Sequence, residues 1–147
     1  MTRSAIEPTL SELFDLDETA WLDEMARLLD ERRLEDLDIP HLSEYLRDMA
    51  RRDKREVLSR LTVLLAHLLK WEHQPDQRSG CWQATIDNQH DELSDLLESG
   101  TLRRHAAEIM PRAYERARRQ AIVEANLNEA NVPIDCTITL DSALGEE

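Results

Sequence analysis

From His41 to Gln74 the chain contains neither glycine nor proline, and apolar residues recur along it at spacings of three and four. Leu42, Tyr45, Leu46, Met49, Val57, Leu61, Leu64, Leu65, Leu68 and Trp71 fall on one stripe, because 3.6 residues per turn bring such positions to a single helical face. The polar stretch "ARRDKRE" at 50–56 interrupts the stripe, which leaves open one long helix or two with a kink near Asp53. Pro40 suits a first-turn position after Asp38 as cap. Pro75 ends the run, since its ring removes a backbone donor and pushes the preceding residue out of the helical region.

The remaining sequence is punctuated in the same way. There are only three glycines and five prolines, and the 41% of apolar residues include few aromatics. Leu, Ala, Glu and Arg, which favour helix, dominate, so the composition predicts an all-α protein. A helix is expected from Asp17 to near Arg33 on Trp21, Leu22, Met25, Leu28 and Leu29. Residues 1–14, with Pro8 and no sustained period, read as a loosely ordered tail. Trp82, Ile86, Leu93, Leu96 and Leu97 predict a helix from about Pro75 to Glu98, closed by Gly100, with Thr101 capping the next one. Pro111 predicts a break, giving a short helix at 102–109 and a longer one at 111–126. The tail "VPIDCTITLDSALGEE" suggests a short extended piece, then one helical turn after Thr139. Short connections imply antiparallel neighbours. The expected fold is therefore an antiparallel bundle of four to five main helices with a central αα-hairpin. It forms a single domain over 15–144, and both tails are irregular.

Charge narrows the function classes. With 31 acidic and 18 basic residues the net charge is −13, a field that disfavours direct binding to nucleic acid or to an anionic membrane. The charge is unevenly distributed: residues 1–44 carry 13 acids and 4 bases, and 120–147 carry 6 acids and no base, whereas 102–119 carry 6 bases and 2 acids. One reading has these oppositely charged segments facing one another in the fold, and the other makes the basic helix an anion-binding strip. No apolar run reaches the roughly 18 residues of a membrane span, and the polar start lacks a secretory core, which predicts a cytoplasmic protein. Cys81 and Cys136, without CxxC spacing, predict two reduced thiols and no zinc site. No cofactor loop is present, so no cofactor is expected.

The densest stretch is "HLLKWEHQPDQRSGCW" at 67–82. On its first arm His67, Lys70, Trp71 and Gln74 share a face at i, i+3, i+4 and i+7. On the second, Arg78, Trp82, Thr85 and Gln89 follow i, i+4, i+7 and i+11. Chemistry could use Lys70 and Arg78 as a clamp on an anion, His67 as a proton carrier and the indoles as a stacking floor. Structure could use the indoles as core, with Lys70 snorkelling along them and Arg78 paired to Glu44 or Asp76.

These residues also carry a resemblance. "HLLKWEHQPDQRSGCWQATI", preceded by "ERRLEDLDIPHLSEYLRDM" and followed by "PRAYERAR" and "VPIDCTITL", resembles the bacterial family domain of unknown function 29 over about residues 14–144. The resemblance implies a compact all-helical domain and brings no established activity with it. Where the family pattern has an acidic pair, "SEYL" keeps only Glu44, with Tyr45 and Arg47 where carboxylates are usual. A position often serine is Cys81, and the aromatic tail after Leu144 is missing.

Three functional classes follow. A metal enzyme would draw on His41 with Glu44, or His105 with Glu108, but the order Glu-x-x-His of di-iron bundles is absent. A nucleic-acid-related enzyme would need acidic metal ligands grouped beside Lys70 and Arg78. The leading expectation is a non-catalytic interaction or regulatory module whose corner, with Glu44, binds a protein partner. The alternative binding role is an acidic nucleic-acid mimic that occupies a basic groove on a DNA- or RNA-binding protein. A homodimer is a further expectation, and enzymatic activity stays open.

Overall fold

The computed structural model describes residues 7–146, and the described residues contain helices and no strand. Six α-helices follow in order: α1 Leu10–Leu16, α2 Glu18–Asp30, α3 Ile39–His73, α4 Gly80–Leu96, α5 Gly100–Ala125 and α6 Leu140–Ala143. Short 3-10 turns lie at Leu34–Asp36, Pro75–Gln77 and Glu129–Asn131. The fold is an all-α helical bundle, and no helix among the described residues is long and apolar enough to cross a membrane. The chain divides between Arg51 and Arg52, inside α3, into two compact units.

In the first unit α1 forms where a loosely ordered tail was expected. Thr9 accepts a hydrogen bond from the Glu12 amide, and the Glu12 carboxylate accepts from the Thr9 amide, a reciprocal cap written in the sequence as "TLSE". Residues 1–6 of the expected tail lie outside the described residues. Asp17 caps α2 by accepting from Ala20 N at 3.1 Å. Trp21, Met25 and Leu28 are buried at spacings of four and three, packed by Leu13, Phe14, Leu37, Leu42 and Tyr45. Leu46 and Met49, which share the sequence stripe, are exposed instead.

The second unit carries the larger core. α3 is a single continuous helix from Ile39 to His73, and "ARRDKRE" carries it on because Arg and Glu are good helix formers and no helix breaker stands there. Val57, Leu61, Leu64, Leu65, Ala66 and Leu69 then face the core. Beyond Pro75 the chain reverses into α4, and Arg60 of α3 meets Gln89 and Glu92 of α4, so the two helices form an antiparallel αα-hairpin.

Local chemistry moves three boundaries. α4 starts at Gly80 rather than Pro75, because Ser79 accepts from Trp82 N at 3.2 Å and Pro75 is taken up in a 3-10 turn. Gly80 is thus a first-turn residue. Ser99, not Thr101, caps α5, and Gly100 opens that helix instead of closing α4. Pro111 sits inside an uninterrupted α5 where a break was expected. An interior proline costs about 3 kcal/mol, but buried residues on both sides, Leu102, Ala106 and Met110 before it and Ala113, Tyr114 and Ala117 after it, hold both halves against one core.

Beyond α5, residues 132–139 hold no regular element, and Thr139 caps the four-residue α6 in the place where a single turn was expected. This strap is fastened by side chains. The Arg118 guanidinium donates to the carbonyls of Glu129, Val132 and Pro133, and the buried Tyr114 hydroxyl donates to Pro133 O at 2.6 Å.

Candidate functional site

The 67–82 corner is formed by the end of α3, the Pro75–Gln77 turn and the start of α4. Its residues separate into two groups. Arg78 bends back onto the helix before it: Nε donates to the Trp71 carbonyl at 2.8 Å, and the guanidinium carbon lies 5.0 Å from the Trp71 ring centroid. That bond occupies a carbonyl left open at the end of α3, and the stack adds a cation–π attraction of about 0.5–1 kcal/mol at an exposed site. Arg78 is exposed, Trp71 half-buried against the core, and Arg78 forms no ion pair among the described residues. Neither Glu44 nor Asp76 is its partner, so pairing to a carboxylate is corrected to stacking on Trp71. Trp82 is half-buried in the first turn of α4.

The second group points to the C-terminal end of α5. Lys70 is buried and its ammonium bonds Glu124, while the Gln74 amide donates to Ala125 O at 3.1 Å. The hydrogen bond from Lys70 holds the Glu124 carboxyl below the usual range against the opposing effect of burial, with Gln120 and the charges of Lys70 and His67 adding to the lowering. His67 donates from Nδ1 to Val63 O at 2.9 Å, which leaves Nε2 as the ring's other nitrogen. Lys70 is thus neutralised within the fold, and a joint clamp with Arg78 is not formed.

The remaining residues of the set lie elsewhere. Gln89 accepts from Arg60 at 3.3 Å, Thr85 donates to Cys81 O at 3.0 Å, and Glu44 is an exposed residue of the first unit. Asp38 stands at the cap position before Ile39, its carbonyl accepting from Leu42 N at 2.9 Å, and its carboxylate accepts from Trp21 Nε1 at 3.1 Å and from His41 Nδ1 at 2.7 Å. Phe14 stacks on the His41 ring with centroids 4.3 Å apart. Ser11 Oγ also lies near His41 Nδ1, at 3.4 Å. A Ser-His-Asp relay needs serine and carboxylate on opposite ring nitrogens, so this arrangement is not one. Among the described residues no group of three His, Cys, Asp or Glu side chains is placed to hold a metal ion.

Sequence reasoning missed the Arg118 clamp, because its partners are backbone carbonyls that no residue type announces. The Asp38 contact with His41 had a signal, an acid three residues before a histidine, whereas no local pattern joined Asp38 to the Trp21 indole 17 residues away.

By fold the chain is an all-helical bundle, and at the corner between α3 and α4 Arg78 stacks on Trp71. The family model Domain of unknown function DUF29 matches residues 13–147, nearly the whole chain, and the chain belongs to that family. Comparison with curated proteins gave no match, and neither did comparison with solved structures.

Proposed function

We propose that the chain is a protein-interaction module whose 67–82 corner takes a carboxylate-bearing segment of a partner protein. The observation that carries the reading is Arg78: exposed, with no acidic partner among the described residues, and pre-positioned by its stack on Trp71 and its bond to the Trp71 carbonyl. A guanidinium fixed in this way loses little freedom on binding and keeps its outer nitrogens for a bidentate carboxylate contact. Arginine and tryptophan are among the residue types that most often anchor interfaces, and half-buried Trp71, on which the guanidinium stacks, supplies apolar area beside the charge. Lys70 and Gln74 support the site from below by tying α3 to α5.

The test is affinity capture by wild type, Arg78→Lys and Arg78→Ala at matched melting temperatures, followed by binding of the captured protein in purified form. Loss of a hot-spot arginine weakens binding by at least about 2 kcal/mol, close to thirtyfold. Arg78→Lys keeps the charge without the fork and should fall between. Equal affinity for all three proteins would remove the corner from the interface.

A further inference from the structure

The structure leaves most of the basic segment of α5 without the acidic partners that charge balance would suggest. Arg103 pairs with Asp141 and Glu146, and Arg118 is engaged by carbonyls. Arg112, Arg116 and Arg119 are exposed at i, i+4 and i+7, and they form no ion pair among the described residues. Val123, 80% exposed, continues the same line. Arg119 stands between two grooves. One, of about 400 Å³, is walled by Arg116, Val123 and Glu124. The other, of about 470 Å³, is walled by Tyr114, Glu115, Arg118, Ile134, Asp135 and Cys136, with Ile134 itself 80% exposed. The result is a stripe of arginines bordered by the exposed Val123 and Ile134, with Glu115, Glu124 and Asp135 in the same grooves, on a chain whose net charge is −13.

The complementary surface is on the same chain type. Residues 1–44 hold 13 acids against 4 bases. On α2, Asp23 and Asp30 are exposed at i and i+7, and Arg27, the only base on that helix, is taken by Glu24 and Glu31. Leu29 and Leu34 are 43% and 58% exposed beside them. Carboxylates next to leucines fit arginines next to Val123 and Ile134. We infer that the chain forms a homodimer in which the acidic face of α2 from one copy docks on the Arg112, Arg116 and Arg119 stripe of the other. This inference stands apart from the corner described above.

Sedimentation velocity of the full chain tests it, in salt from about 0.01 M to about 1 M, over which the screening length falls from about 30 Å to about 3 Å. The dimer should dominate at low salt and dissociate at high salt. Arg116→Glu with Arg119→Glu should weaken dimerisation at least tenfold, and so should Asp23→Lys with Asp30→Lys. Mixing the two double variants should restore a dimer, because an unaltered acidic face then meets an unaltered arginine stripe. Arg78→Ala should dimerise like wild type. A wild-type monomer at low salt, a dimer indifferent to salt or to either double variant, or a mixture that stays monomeric would each overturn the inference. If circular dichroism shows that one variant fails to fold, the wild-type salt series and the other variant decide. Binding of an unrelated acidic protein by a monomer counts against the second copy as occupant.

Discussion

Lys70 shows how a single side chain can look like chemistry in the sequence and act as structure in the fold. Its stem is buried, and its ammonium reaches a carboxylate 54 residues away on α5. The helical face it shares with His67, Trp71 and Gln74 was legible from spacing, whereas the partner was not, since nothing in the local sequence selects Glu124. Because the stem carries the packing, Lys70→Met should cost less than about 1.5 kcal/mol, while Lys70→Ala should cost about 2 kcal/mol or more, read from urea unfolding. The acid partner gives a pH signature. The Glu124 carboxyl titrates below its ordinary value of 4.5 in the folded chain, so its contribution is complete above that value and is lost as pH falls through the lowered one. Glu124→Gln should therefore be less stable than wild type at pH 7, with the gap closing in strong acid. A gap that stays constant with pH would show that the bond contributes nothing through ionisation.

At the scale of elements, the apolar periods of α2 and α3 were readable, while the punctuation was misread in places where packing competes with propensity. Pro111 marks a helix end by its own chemistry, yet α5 passes through it, because the local cost is offset by core residues on both sides. Pro111→Ala should then restore one backbone donor and remove the ring clash, raising stability by about 1–3 kcal/mol in chemical denaturation. No change, or a loss, would mean that the ring itself packs usefully. Gly80 and Gly100 give a smaller version of the same test. A Cβ at either position meets nothing within 4 Å, and neither residue is among those with positive φ. Gly80→Ala and Gly100→Ala should each add about 0.4–1 kcal/mol by narrowing the unfolded ensemble. Ser79 and Ser99, which set these two helix starts, were visible in the sequence as N-cap residue types but lost out to neighbouring proline and threonine as boundary signals.

For the whole molecule, a continuous α3 hides from the sequence that the buried residues fall into two separate clusters. Among the described residues three apolar side chains, Trp21, Met25 and Leu28, are buried in the first unit, against nineteen in the second. The first cluster also contains the Asp38 carboxylate that holds Trp21 and His41, so part of its order rests on polar contacts rather than on apolar area. Hydrophobic stabilisation scales with buried apolar surface, and opening free energy varies across a structure accordingly. The acidic excess of residues 1–44 adds self-repulsion to the smaller cluster. Amides of α2 should therefore exchange with deuterium at least about tenfold faster than those of α5 between Ala113 and Ala121, a difference of about 1.4 kcal/mol in opening. The same experiment at high salt should narrow the difference, because screening relieves repulsion among the carboxylates without touching the apolar core. If α2 and α5 exchange at one common rate in both conditions, α3 couples the two clusters into one cooperative unit, and the boundary at Arg51 and Arg52 has no energetic counterpart.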